Sequence, residues 1–256
     1  MSPRHEAAPI ITALIAAVLC SLAAPAAGQE LRRATVWDLK IGAAFAAQPA
    51  PSEFRGFACG SNGGPPRAQL AGWSDFRHCP AEPSGLHEVY FEYDDELEYI
   101  ARAHDNDLEI SRWAGTHELT FPVVASALFD NAGILKGIRL VTDARPDHRN
   151  DITEANRRKR DEFYVFGGIM AARFGIEPAR DCVSLPAAEG ESPVGALFIK
   201  QSCERRDEAA GRRIVVRANL YRKPGQSAYN PQLPTQLTEG QFESSARLEI
   251  YQLEAP

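Results

Sequence analysis

Four cysteines constrain most strongly what this chain can fold into. They form two pairs that are close in sequence, Cys59 with Cys79 and Cys182 with Cys203. An even number of cysteines in an oxidising compartment favours disulfides, and of the three connectivities that four cysteines allow, proximity favours Cys59–Cys79 and Cys182–Cys203. Each cross-link would stabilise the fold by about 3 kcal/mol. The absence of a Cys-x-x-Cys motif argues against zinc ligation and thiol redox catalysis.

The N-terminal segment has the layout of a secretory signal peptide. Arg4 lies in a short polar start, residues 10–22 form a compact apolar run, and residues 23–28 are small, as a signal peptidase requires. An uncleaved membrane anchor is the alternative interpretation. A spanning helix needs about 20 apolar residues, whereas Pro25 and Gly28 interrupt this run. The sequence therefore favours cleavage.

Cleavage would leave a signal peptide, residues 1–28, and a mature chain, residues 29–256, that we predict to be periplasmic or secreted. The fifth cysteine, Cys20, leaves with the signal peptide. No later apolar run is long enough to cross a membrane, so we expect no transmembrane segment after cleavage. The mature chain has the length of a single domain. A division near residue 113 is the alternative, because each half would then hold one cysteine pair and one strong hairpin.

Composition and charge exclude some classes of function. The sequence is 44% hydrophobic and 24% charged, which is ordinary for a globular protein. Its formal net charge of −6 provides no general basic field, so we expect no nucleic-acid partner. The motifs of serine hydrolases, phosphate-binding loops, dinucleotide-binding folds and zinc proteases are absent. We therefore predict no cofactor and no metal, and we favour a protein that is not an enzyme.

The clearest strand signal is period-two alternation over residues 88–100. Apolar residues take one face of this segment and acidic residues the other: Val89, Phe91, Tyr93, Leu97 and Tyr99 against Glu88, Glu92, Asp94, Glu96 and Glu98. Such alternation predicts that the apolar set points into the core and the acidic set points into water. Asp94 and Asp95 would form the turn of a hairpin.

Three further segments predict strands. Residues 121–143 hold two apolar runs around an Asp-Asn-Ala-Gly turn, which predicts a second hairpin. Residues 212–221 and 242–251 alternate again, with their apolar residues inward. On the outward side of these two strands, Arg217 and Glu249 would meet across the sheet. A short strand is also predicted over residues 35–41.

One long helix is predicted over residues 153–174, with Gly175 as its C-terminal cap. Gly167 and Gly168 lie inside it and indicate close packing against the sheet or a kink. The first cysteine loop is rich in glycine and proline and is predicted to have little core of its own. Together these elements predict an α+β fold, an antiparallel sheet of about six or seven strands packed by one main helix, with two intra-chain disulfides.

Acidic residues at the first hairpin form the weak candidates for an acidic site. Asp94, Asp95 and Glu96 cluster at the predicted turn, and Glu92 and His87 precede it. Carboxylate oxygens suit calcium, but the spacing of a calcium-binding loop is absent. A solvated acidic turn is the simpler interpretation.

The sharpest basic run is a candidate contact for an anion or a partner. Arg157, Arg158, Lys159 and Arg160 follow one another near the start of the predicted helix. Cations oppose the helix dipole at this end, so their presence suggests a use. Acidic neighbours flank the run, and a solvated charged face is the alternative.

These features favour an exported, non-catalytic binding or accessory protein of the bacterial cell envelope, whose partner is a protein or another envelope component. Loops held on a rigid scaffold are where binding surfaces usually lie, and the long Pro- and Gln-rich segment 224–241 adds another such loop. Two alternatives remain at this point. One is a carboxylate-dependent hydrolase acting on envelope polymers, and the other is a structural subunit of an envelope complex.

Overall fold

The computed structural model describes residues 34–93, 103–104, 116–143, 161–226 and 242–253. The predicted signal peptide, residues 1–28, lies outside these ranges. Within them, no helix has the length and the apolar character that crossing a membrane would require.

An antiparallel sheet dominates the described residues. Its nine strands are β1 (Arg55–Cys59), β2 (His87–Glu92), β3 (His117–Glu118), β4 (Phe121–Phe129), β5 (Leu135–Thr142), β6 (Cys182–Ser184), β7 (Ile199–Asp207), β8 (Arg212–Tyr221) and β9 (Glu243–Gln252). They are ordered β1-β2-β4-β5-β9-β8-β7-β6, with β3 paired to β4. Strands from both sides of residue 113 thus share one sheet. The α+β class and the antiparallel sheet are confirmed.

The predicted count of six or seven strands was too low. The additional strands are short: β3 has two residues and β6 has three. Such segments are too short to show period-two alternation, and they form because a longer neighbour offers its backbone hydrogen-bonding groups.

Both predicted disulfides are confirmed. Cys59 at the end of β1 bonds to Cys79, with their Cα atoms 5.1 Å apart. Cys182 and Cys203 lie opposite each other on β6 and β7, with their Cα atoms 3.9 Å apart. The first cross-link closes a loop and the second joins an edge strand to the sheet.

The main helix, α1 (Phe163–Arg173), packs on one side of the sheet, which we call the first face. Phe163, Phe166 and Met170 are fully buried against it. The predicted C-terminal cap is confirmed, because Gly175 has φ +63° and the N–H groups of Gly175 and Ile176 donate to carbonyls of the last turn. Residues 153–160, where the helix was predicted to begin, lie outside the described ranges. A short helix, α2 (Pro178–Asp181), leads into β6.

The first cysteine loop contributes to the core, contrary to the prediction. Its 3₁₀ helix Trp73–His78 buries Trp73 and Phe76 on the first face. The Trp73 ring contacts four phenylalanine rings in edge-on or tilted geometry: Phe54, Phe57, Phe91 and Phe129. Aromatic side chains bury large areas and favour such geometries. Glycine and proline indicated only the irregular backbone of this loop, not the packing of its aromatic residues.

The predicted strand over residues 35–41 is wrong. Residues Val36–Asp38 form a 3₁₀ helix whose N-cap is Thr35. The Thr35 hydroxyl accepts from the Trp37 N–H, and the Asp38 carboxylate accepts from the Thr35 N–H. This capping box satisfies the free donors of a helix start, and it outweighs the strand propensity of the apolar residues.

Two adjacent glycines of α1 provide a matched test of how the helix packs. A Cβ on Gly168 would have nothing within 4 Å, whereas a Cβ on Gly167 would lie 2.9 Å from the Ala218 methyl group of β8. Gly168→Ala should therefore raise the free energy of unfolding by about 1 kcal/mol, and Gly167→Ala should lower it. Urea denaturation of both variants measures this difference. Stabilisation by both substitutions would contradict close packing at Gly167.

Candidate functional site

The second face of the sheet, opposite α1, carries most of its buried charge. Strand register places Tyr90, Ser126, Arg139, Glu249 and Val215 in one row across β2, β4, β5, β9 and β8. Side chains alternate along a strand, so directly opposed residues share a face. Arg139 therefore lies between Ser126 and Glu249, at the middle of the sheet. The Ser126 hydroxyl is fully buried and makes no hydrogen bond within the described part of the chain.

Arg139 is the centre of this face, and its side chain is only 4% exposed. Its Nη1 and Nη2 donate to the two oxygens of Glu82 at 2.7 and 3.2 Å, and its Nε donates to Glu249 Oε1 at 2.8 Å. Glu88 Oε1 lies 3.2 Å from Nη1, which is an ion-pair distance without hydrogen-bond alignment. One buried guanidinium is thus surrounded by three carboxylates.

Glu249 is surrounded in the same way by arginines. Besides Arg139, Arg217 Nη1 donates to its Oε2 and Arg247 Nη1 to its Oε1, both at 3.1 Å. The predicted contact between Arg217 and Glu249 is confirmed. We call this set of three arginines and three glutamates the charged cluster: Glu82, Glu88, Arg139, Arg217, Arg247 and Glu249. Its formal charges balance, which is what makes their burial tolerable.

Contacts within the charged cluster favour the ionised forms of Glu82, Arg139 and Glu249. Burial raises the pKa of Glu249, but the hydrogen bond from Arg139 and the charge of Arg247 outweigh it and leave this pKa below its usual value. The pKa of Glu82 is lowered in the same way, because Arg139 outweighs burial. The pKa of Arg139 is raised, since its carboxylate partners outweigh burial. A general acid needs a raised carboxyl pKa, and the shifts of Glu82 and Glu249 run in the opposite direction.

A turn of the first cysteine loop, residues 60–64, covers part of the second face. The Asn62 N–H donates to Glu88 Oε2, while Arg247 donates to the Asn62 side chain and carbonyl at 2.8 and 2.6 Å. A Cβ on Gly60 would lie 2.3 Å from the Glu88 side chain, and one on Gly63 would lie 2.5 Å from Val141. Glycine is therefore needed for this turn to lie directly on the sheet. We call residues 60–64 the glycine turn.

This arrangement corrects the prediction that Glu88 points into water. Glu88 is 3% exposed, because the glycine turn and Glu82 lie over the face that alternation had assigned to water. Period-two alternation separates the two faces of a strand correctly. It does not show whether a second layer covers the polar face.

The other half of the second face, over β7, β8 and β9, displays paired arginines. Arg206 lies directly opposite Arg213, and Arg217 lies directly opposite Arg247. The Arg206 side chain is 61% exposed, and those of Arg213 and Arg217 are each close to half exposed. Like charges in directly opposed positions destabilise a sheet. We call these four residues the arginine face.

Carboxylates compensate the arginine face only in part. Glu249 accepts hydrogen bonds from Arg217 and Arg247, and the Glu204 carboxylate lies 3.7 Å from the Arg213 guanidinium. Arg206 has an ion pair with Glu208, which is on the exposed turn after β7. Ion pairs between such exposed groups are worth little. Within the described part of the chain, Arg206, Arg213 and Arg217 therefore remain accessible to an external anion, whereas Arg247 is held by Asn62 and Glu249.

The described members of the predicted acidic site do not come together. His87 is on the first face, with Nδ1 2.7 Å from the Cys79 carbonyl and Nε2 2.9 Å from Asn131 Oδ1. Glu92 is on the second face at the other end of β2, where it pairs with Arg55 and accepts from the Tyr90 hydroxyl. The other predicted site residues lie outside the described ranges: Asp94, Asp95, Glu96, Arg157, Arg158, Lys159 and Arg160.

A second polar cluster lies at the helix side of the sheet. The Glu118 carboxylate accepts from Trp37 Nε1 at 3.0 Å, from the Tyr93 hydroxyl at 3.2 Å and from Arg173 Nη1 at 2.9 Å. The Arg173 guanidinium also stacks 4.0 Å from the centre of the Trp37 ring. These contacts join the first 3₁₀ helix, β2, β3 and α1, so this cluster holds elements of the fold together.

Among the residues that the structure describes, no three His, Cys, Asp or Glu side chains are placed to hold a metal ion. The chain matches no protein-family model, and no curated protein or solved structure is similar to it at a significant level.

Proposed function

We propose that this protein is an exported, non-catalytic binding protein of the bacterial cell envelope, and that its arginine face binds an anionic envelope component. The observation that carries the proposal is the directly opposed pair Arg206 and Arg213, which is exposed among the described residues and shares its face with the half-exposed Arg217. The formal net charge of the chain is −6, so this basic surface is a local concentration against the overall charge.

Guanidinium chemistry supports an anionic ligand. Arginine offers a planar fork of donors that binds carboxylate or phosphate with two parallel hydrogen bonds. Opposed arginines repel each other until an anion lies between them. Binding would therefore relieve the repulsion of Arg206 and Arg213, and it would add charge-assisted hydrogen bonds.

The properties of the charged cluster suit a rigid support for a binding surface better than a hydrolytic site. Glu82 and Glu249 are committed to arginine partners and have lowered pKa values, which suits a structural role better than proton transfer. Within the cluster, Glu249 bonds to Arg217 and Arg247 and fixes their positions. Binding groups that are held in place before the ligand arrives lose less conformational entropy on association.

Sedimentation with washed envelope fragments tests this function. The exported form of the full chain should bind at about 0.1 M salt and be released near 1 M, because the Debye length falls from about 10 Å to about 3 Å. The variant Arg206→Gln/Arg213→Gln should bind at least about tenfold more weakly, since each lost charge contributes about 1 kcal/mol at an anionic surface.

The matched control is Arg67→Gln/Arg77→Gln, which removes the same charge from exposed positions of the first cysteine loop. It should bind like the unmodified protein. Equal binding by both double variants would show that the arginine face is not the binding surface, and would overturn the proposal.

A further inference from the structure

We infer that the ligand of the arginine face is an anionic phospholipid surface, on which the protein lies with strands β6, β7 and β8. This inference rests on the proposed function, and it specifies the anionic component. The observation that carries it is the position of exposed apolar side chains on the same face of the sheet as the arginines, with only β7 between Val183 and Arg217.

Exposed apolar residues gather at the β6 edge of the sheet. Val183 of β6 is 63% exposed and Leu185, one residue beyond β6, is 43% exposed. Leu197, two residues before the start of β7, is also exposed. These residues account for most of the exposed large apolar side chains in the described ranges. Single exposed apolar residues are ordinary, but several at one edge indicate an interaction site.

Strand register places the apolar residues on the same face as the arginines. Val183 lies opposite Ser202 of β7, which in turn lies opposite Arg217 of β8. Leu185 continues the ladder, since its N–H donates to the Lys200 carbonyl at 2.7 Å. The second face therefore presents an apolar edge and then the arginines on one side of the sheet, while Lys200 between them is paired with Glu191.

A lipid surface matches this order of groups. Interfacial binding combines apolar side chains that enter the headgroup region with basic side chains that meet anionic headgroups. Guanidinium groups bind lipid phosphates with paired hydrogen bonds. An acidic polysaccharide would use the arginines but would leave Val183 and Leu185 without a role.

An acidic peptide fits the face less well. Peptides that add to a sheet bind a free edge through their backbone. The arginines of β8 lie between β7 and β9, whose ladders already use the backbone groups of β8 on both sides. Ligands of Arg213 and Arg217 can therefore meet side chains only, as a lipid surface does.

Vesicle flotation tests the inference with the exported full chain. Vesicles of phosphatidylglycerol mixed with phosphatidylcholine should bind the protein, and vesicles of phosphatidylcholine alone should not. Val183→Ser/Leu185→Ser should weaken binding about tenfold, because it removes the buried apolar contribution. Arg206→Gln/Arg213→Gln should weaken it about 30-fold, and Arg67→Gln/Arg77→Gln should leave it unchanged.

Polygalacturonate, a polymer of carboxylated sugars, separates the lipid inference from the proposed function. If the protein binds envelope fragments and polygalacturonate through its arginines but does not bind the anionic vesicles, the lipid inference is overturned and the proposed function stands. Vesicle binding that is unchanged in Val183→Ser/Leu185→Ser would also overturn the lipid inference. Envelope binding that does not depend on Arg206 and Arg213 would overturn both.

Discussion

Replacement of Arg139 by methionine should lower the free energy of unfolding at neutral pH by about 3 to 5 kcal/mol. Methionine fills a similar volume but leaves the Glu82, Glu88 and Glu249 carboxylates without the guanidinium that lies among them. Removing one partner from a buried ion pair costs more than the pair itself contributes, because the remaining charges keep their desolvation penalty. Urea denaturation at pH 7 measures the loss.

The pH dependence of this loss identifies its cause. In the unmodified protein the pKa values of Glu82 and Glu249 are lowered from 4.5, so their stabilising contribution is present above about pH 4.5 and is lost as the pH falls below it. In Arg139→Met, burial without Arg139 would raise these pKa values, so the deficit relative to the unmodified protein should shrink toward pH 4. A deficit below about 1 kcal/mol at pH 7, or one independent of pH, would contradict the electrostatic role of Arg139.

Arg180→Met is the matched control for this substitution. Arg180 contacts Glu177 and Asp181 at the exposed surface of α2. Exposed ion pairs contribute little, so the unfolding midpoint should not change.

Removal of the first disulfide by Cys59→Ala/Cys79→Ala should lower the free energy of unfolding by about 3 to 5 kcal/mol. The cross-link closes the loop that carries Trp73 into the core and the glycine turn onto the second face. Both cysteines are also almost completely buried, so packing is lost with the cross-link. Unfolding in urea without reductant provides the measurement.

A variant that combines Arg139→Met with Cys59→Ala/Cys79→Ala tests whether the glycine turn and the charged cluster stabilise the fold together. Asn62 of this turn bonds to Glu88 and Arg247, and Arg139 also contacts Glu88. The loop that the disulfide closes and the Arg139 side chain therefore act on the same residue. The combined loss should therefore differ from the sum of the single losses by more than about 0.5 kcal/mol, which is the usual limit for independent sites. An additive result would show that the disulfide stabilises only the aromatic core.

The second disulfide has a different expected consequence. Cys182→Ala/Cys203→Ala frees one end of β6, the three-residue edge strand that places Val183 beside the arginine face. The inferred lipid surface predicts that this variant binds anionic vesicles more weakly while its charged cluster stays intact. If vesicle binding is instead lost on removing the Cys59–Cys79 bond alone, the surface that binds lipid is not the one inferred.

Local patterns predicted the elements that make the helix side of this protein. Alternation correctly indicated the buried residues of two strands. These are Val89 and Phe91 of β2, with Tyr93 just after it, and Ile214, Val216 and Ala218 of β8. Gly175 caps α1, and both disulfides join cysteines that are near neighbours in sequence. In each case a short stretch of chain carries the information, because side-chain period and helix capping depend on residues a few positions apart.

Arg139 shows why the candidate site could not be predicted in the same way. It stands in the mostly apolar strand β5, where a buried charge between Ile138 and Leu140 is the signal that a partner is needed. Its partners Glu82 and Glu249 lie 57 and 110 positions away in sequence. Strand order alone decides that β9 lies beside β5, and nothing near Arg139 in sequence encodes that order.

The two cysteine pairs show the same division between what the sequence determines and what tertiary packing decides. The sequence alone determined that two cross-links would form and which strands have an apolar side, because proximity along the chain and alternation are local properties. Only the tertiary structure decided how the second face is covered. The loop of Cys59–Cys79 covers the half around Arg139, while the arginines of β7 and β8 on the same face stay exposed. The physical reason is that alternation assigns a residue to a side of the sheet, but only the packing of distant segments decides whether that side is covered or exposed to solvent.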